Sequence, residues 1–127
     1  MTERGSVAPL VAGYLALILL TLLGSAAVGV SMIATNRVQA VADAAVLFGH
    51  DRSILRGIPN QGSLQREVAR FLESAPSAKR IDLVSSRATV AGTISTLEIC
   101  ARVENPLMPS HRILVCRNSS AESFIIR

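Results

Sequence analysis

"RVQAVADAAVLFGH", residues 37–50, has the spacing of an amphipathic helix, and what precedes it decides the fold. From Gly5 to Asn36 the chain runs 32 positions without a charged residue, and no proline, polar cluster or loop signal separates that run from Arg37. Ala34, Val38, Val41, Ala45 and Phe48 recur at steps of four, three, four and three, with Asn36, Gln39, Asp43 and His50 on other faces. Side chains three and four apart share a helix face, so this is one stripe down one helix. Joined, the two stretches predict a single helix of about 40 residues, on the order of 60 Å long at ~1.5 Å per residue.

Some 20 apolar residues cross a bilayer core, so "PLVAGYLALILLTLLGSAAVGVSMI" (residues 9–33) is long enough to span one. Pro9 suits a first helical turn, where its missing N–H is no loss, and the helix start falls near Ser6 to Pro9. The rest of the helix then stands clear of the membrane and offers the stripe Ala34, Val38, Val41, Ala45 and Phe48 to a partner. Within the membrane half, Ala12/Ala16, Ser25/Gly29 and Ala27/Ser31 pair small residues at four-residue spacing, which permits close helix approach but also arises as ordinary filler.

The competing reading is a secretory signal peptide, with Glu3-Arg4 as its basic end and "SAA" (residues 25–27) as its cleavage site. It would release a small soluble secreted binding domain after Ala27. The apolar run from Val7 to Leu23 is 17 residues, longer than the usual ~7–15 of such a segment, and the helical stripe continues past Ala27. Both features favour a permanent anchor.

The chain has 127 residues, of which 50% are hydrophobic, and a formal net charge of +4. Its mean hydropathy of +0.42 comes largely from the N-terminal third, leaving room for one small domain of ordinary polarity. Basic residues are scattered from Arg52 to Arg127 with Asp and Glu interleaved. That is a solvated face, with weak attraction to anionic lipid heads or cell-wall polymers as the lesser reading. Nucleic-acid binding is poorly served, because Phe48, Phe71 and Phe124 are the only aromatics beyond the apolar run, too few for a base-stacking platform.

Three regions follow: residues 1–50 as anchor helix and amphipathic extension, 51–62 as linker, and 63–127 as a small α+β domain. The linker is the Gly-, Pro- and Asn-rich "RGIPNQGS" region. After it, Leu64, Val68, Phe71, Leu72 and Ala75 share one face of a short helix, with Ser63 as expected N-cap and Pro76 as its stop. From Arg80 the period changes to two. "RIDLVSS" and "TLEICARVE" alternate as half-buried strands, the latter with Leu97, Ile99, Ala101 and Val103 on one face. "NPLMPS" (residues 105–110) breaks the pattern, "HRILVCRN" is a further strand, and "SFIIR" is a candidate edge. The expected fold is a long N-terminal helix followed by one short helix packed on an antiparallel sheet.

If the strands flanking residues 105–110 form a hairpin centred near 108, opposite residues have numbers summing to about 216. Cys100 then faces Cys116, Ala101 faces Val115 and Val103 faces Ile113, so the cysteine pattern and the apolar pattern agree on one register. A cross-strand disulfide is expected, which needs an oxidising compartment. It therefore places the C-terminal domain outside and Met1 in the cytoplasm. The charge flanks lean the other way, since Arg4 is offset by Glu3 while Arg37, Arg52 and Arg56 follow the span. The cysteine register is the stronger argument because it rests on pairing geometry as well as composition.

The sequence offers no Gly-rich phosphate loop, no Gly-x-Ser-x-Gly, no paired histidines and no carboxylate cluster, so no enzyme, cofactor or small-molecule substrate is expected. His50-Asp51 and His111 read as isolated surface residues. A metal site built on Cys100, His111 and Cys116 lacks Cys-x-x-Cys spacing. Asn118-Ser119-Ser120 matches a glycosylation sequon, a pattern that chance often supplies.

Arg4-Gly5, then the long apolar helix, then Arg37, Gln39 and Ala42-Asp43-Ala44-Ala45, resembles the N-terminal module of TadE/TadG-like proteins of tight-adherence (Flp-type) pilus assembly, in the short form common in actinobacteria. The match covers the first 50 residues, about 40% of the chain. The resemblance implies a non-enzymatic, single-pass, minor pilin-like or assembly protein. Its helix would meet other pilus or assembly-platform proteins while its C-terminal domain lies outside the cell. It also marks Gly5-Ser6 as a candidate processing junction. Leu10 occupies the fifth position after that junction, where processed pilin-like members carry Glu, so an anchored assembly factor is implied in preference to a filament subunit.

Overall fold

The computed structural model describes residues 7–105 and 107–124. Its first element, α1, runs from Val7 to Ser53 without a break, 47 residues and about 70 Å. A two-residue hairpin follows, β1 (Ile54–Leu55) and β2 (Ile58–Pro59), then α2 (Gln61–Ser74) and a 3₁₀ turn (Ala78–Arg80). The chain ends in three antiparallel strands, β3 (Asp82–Ala91), β4 (Ile94–Glu104) and β5 (Arg112–Glu122), ordered β3-β4-β5. The fold is α+β, as the periodicity predicts.

Within α1 no residue before Val38 is buried. Three hydroxyls in that stretch return to the helix backbone: Thr21 donates to the Ile18 carbonyl at 2.8 Å, Ser25 to Leu22 at 2.9 Å and Thr35 to Ser31 at 2.8 Å. Each is thereby satisfied without water, which keeps an apolar helix apolar in effect. The helix is long and apolar enough to cross a membrane and lies near the N-terminus.

From Val38 onward the same helix is part of the domain. Val38, Val41, Ala42, Ala45, Val46, Gly49, His50 and Ser53 are buried, at alternating steps of three and one or so, the mark of a helix lying on a core. They pack with Leu64 and Val68 of α2 and with Ala88, Leu97, Ile99, Ala101 and Ala121 of the sheet. Gly49 permits the crossing of α1 and α2: a Cβ there would sit 2.6 Å from Val68 Cγ2 and 3.0 Å from Leu64 Cδ1.

The expected linker is therefore structured. Residues 51–62 hold the end of α1, the β1–β2 hairpin and the first residues of α2. Helix α2 begins earlier than Ser63, because Asn60 is the N-cap: its Oδ1 accepts from the N–H groups of Gly62 and Ser63 at 3.0 and 3.1 Å. Its buried face is the expected one, with Leu64 and Val68 buried and Phe71, Leu72 and Ala75 packed against the core.

Strand β4 pairs with β5 at the expected register: Cys100 with Cys116, Ala101 with Val115 and Val103 with Ile113. Strand β3 extends past "RIDLVSS" to Ala91, with a bulge at Val84, and turns into β4 through Gly92, whose φ of +62° suits glycine. Strand β5 runs on to Glu122, and of the expected "SFIIR" edge only the Ser123 N–H joins the sheet side, donating to the Thr93 carbonyl at 3.2 Å. Residues 125–127 of that edge lie outside the described residues.

Candidate functional site

The sequence points to a helix stripe, a disulfide and a processing junction, and the structure treats each differently. The stripe is not free for a partner. Val38 and Ala45 are fully buried and Val41 is 3% exposed, all covered by the chain's own α2 and sheet. Phe48 is half-buried, its ring 5.3 Å from that of Phe71 and capped by the Arg52 guanidinium at 4.3 Å. Ala34 lies farther toward the N-terminus, on the wall of a cleft. The physical reason is size: α2 lies over β3 and leaves β4 and β5 uncovered, and the outer half of α1 completes the same layer over them.

Cys100 and Cys116 form a disulfide, with the Cα atoms 4.0 Å apart. The bridge lies on the sheet face opposite α1, because its neighbours in β4, Ile99 and Ala101, point into the core. Both sulfurs are thereby committed, which removes the two thiolates that a metal site with His111 would need. Gly5 and Ser6, the candidate processing junction, lie outside the described residues.

His50 corrects the expectation of a surface histidine. It is buried where α1 meets the sheet, with Nδ1 2.7 Å from Ser95 Oγ and Nε2 2.6 Å from Ser123 Oγ. Both ring nitrogens are engaged by hydroxyls, so His50 acts as a clasp between α1, β4 and the residue after β5. The sequence carries no local signal for this role, because the apolar stripe leaves His50 on another face and both serines lie far along the chain. Gln61 is a second feature that periodicity does not reveal. Its Nε2 donates to the Ala88 carbonyl at 2.7 Å while its Oε1 accepts from the Val90 N–H at 2.7 Å. One side-chain amide thus stands in for a neighbouring strand and closes part of the β3 edge.

A cleft of about 350 Å³ opens where α1 enters the domain. Val30, Ala34 and Arg37 of α1 form one wall; Arg80, Ile81, Asp82, Arg102, Val103, Glu104 and Arg112 form the other. Arg112 and Asp82 are joined at 2.9 Å. Among the described residues no group of three potential metal ligands occurs. No family model, no curated protein and no solved structure matches the chain.

Proposed function

We propose that the chain is a non-enzymatic single-pass membrane protein, anchored by the inner part of α1 with its disulfide-bridged domain outside the cytoplasm. In this reading it serves as a TadE/TadG-like minor pilin-like or assembly factor of a tight-adherence pilus. The observation that carries the anchor is the continuity of α1: one helix passes from an apolar stretch with no buried residue directly into the domain core. The disulfide supports the outside location, since such bonds persist in oxidising compartments. The pilus assignment rests on the resemblance of residues 4–49. Partner contacts then fall to the membrane half of α1 and to the outer surface of the domain, because the stripe at Val38 to Ala45 is occupied.

One observation favours the secreted alternative. Every core residue of α1 lies at Val38 or beyond, so cleavage after Ala27 would leave the domain's core whole. Against it, Val28, Val30, Met32 and Ile33 would remain as an exposed apolar overhang in water. Intact mass and N-terminal sequence of the protein from membranes and from culture fluid separate the two. A full-length or Met-trimmed membrane species supports the anchor, and Val28 at the N-terminus of a fluid species overturns it. Loss of pili in cells lacking the chain, restored by its return, supports the assembly role; unchanged pili contradict it.

A further inference from the structure

The cleft at the base of the domain has a position and a chemistry that the anchor role leaves unused. We propose that it binds the headgroup of an anionic phospholipid in the outer surface of the membrane that α1 crosses, an inference that rests on the membrane reading above.

Depth is the first argument. With Val11 placed at the inner boundary, the stretch from Val11 to Val30, about 30 Å long, fills the hydrocarbon core and puts Val30 at its outer boundary. Arg37 is seven residues, or about 10 Å, farther out, a few Å past the headgroup layer of about 5–7 Å and within reach of it through its long side chain. The cleft that joins them is thus held at headgroup depth by the rigid helix itself.

Charge is the second. Four arginines, Arg37, Arg80, Arg102 and Arg112, line the cleft against Asp82 and Glu104. Arg112 is engaged with Asp82 at 2.9 Å, while Arg37, Arg80 and Arg102 form no ion pair within 4.0 Å among the described residues. Guanidinium forks suit phosphate oxygens, and three of the four arginines on the rim of the cleft have no carboxylate partner among the described residues. Beside them Val30, Ala34, Ile81 and Val103 offer an apolar wall to the first carbons of the acyl chains.

The third is the turn between β4 and β5. It joins Glu104 to Arg112, both on the cleft, so it lies at the same end of the domain, and it exposes Leu107 (73%) and Met108 (53%). An apolar tip beside basic side chains is the pattern of a loop that dips into a membrane interface. This end of the domain carries both features that an anionic bilayer surface would meet.

The test uses the full-length protein in detergent micelles, offered phosphatidylglycerol or phosphatidylcholine, with bound lipid counted by native mass spectrometry. Preferential retention of phosphatidylglycerol is expected. The pair Arg37→Gln and Arg102→Gln should lower it by roughly thirtyfold, the effect of removing two basic residues from an anionic surface. The control pair Arg66→Gln and Arg70→Gln on α2 should leave it unchanged, and all variants should keep the wild-type melting temperature. Equal retention of both lipids overturns the proposal and leaves the cleft to an acidic protein segment. An equal loss in the control pair, or full displacement of lipid by inorganic phosphate, also overturns it. Failure of the membrane reading is distinguishable, because the protein would then be recovered from culture fluid rather than membranes.

Discussion

From Val7 to Arg37 helix α1 buries nothing, whereas from Val38 to Ser53 the same helix buries eight residues in the domain. The two halves also place their polar groups differently. Thr21 and Ser25 bond back to carbonyls three residues earlier, as Ser53 does in the domain half, but there Gln39 also reaches the Asn118 carbonyl at 3.4 Å and His50 reaches Ser95 and Ser123. A helix surrounded by lipid must satisfy itself, while a helix lying on a sheet can use its neighbours. Amphipathic periodicity accordingly appears only where one side meets water and the other a core. In the proposed membrane reading, one uninterrupted helix serves two solvents and ties the position of the domain to that of the anchor.

The sharpest way to break this comparison is to place the same charge in each half. Val41→Asp buries an unpaired carboxylate and is expected to cost at least about 4 kcal/mol, unfolding the domain while the protein stays in the membrane. Leu20→Asp should do the reverse, raising the insertion cost by about 3 kcal/mol with the domain melt unchanged. Membrane fractionation together with thermal unfolding reads both; if either variant shows the other's behaviour, the division is wrong.

Smaller effects sharpen the outer half. Removing the bridge with Cys100→Ser should lower stability by roughly 2–4 kcal/mol, and wild-type protein should melt earlier in reductant. His50→Ala removes the imidazole partner of both hydroxyls and leaves that of buried Ser95 unsatisfied, an expected loss of about 2–3 kcal/mol in denaturant titration. Gly49→Ala gains helix propensity but drives a methyl into Val68 and Leu64, for a net loss of about 1–2 kcal/mol. At the other extreme, Leu47→Ala on the exposed side of the same turn should change stability by less than about 0.5 kcal/mol.

Much of the architecture is legible in the sequence, for reasons that differ by element. The apolar run and the three-four repeat announce α1, and the alternation around Leu97, Ile99 and Ala101, joined to the cysteine spacing, fixes the β4–β5 register to the residue. Those are local patterns with one strong period each. What escaped are features that depend on a partner distant in the chain. The stripe from Val38 to Ala45 reads equally as an interface for another protein or as a core face, and only the positions of α2 and the sheet decide between them. His50 and Gln61 carry no local signal because their partners lie 45 and 27 residues or more away. Asn60 was eclipsed as a cap by the nearby Ser63, since both are good N-cap residues and the helix boundary alone selects one. The basic cleft was invisible for a similar reason: its arginines are scattered from Arg37 to Arg112 in sequence and meet only in the fold.

The central claim, one helix in two environments, is tested most directly by a scan of single spin labels along α1 in protein reconstituted into bilayers. Accessibility would be measured to a lipid-soluble and to a water-soluble relaxation agent. Labels from about residue 12 to residue 30 should respond to the lipid-soluble agent at every position, and those on the exposed face beyond, such as Ala44 and Leu47, only to the water-soluble one. Water-soluble access throughout residues 12–30, or lipid contact at Ala44 and Leu47, would contradict the account.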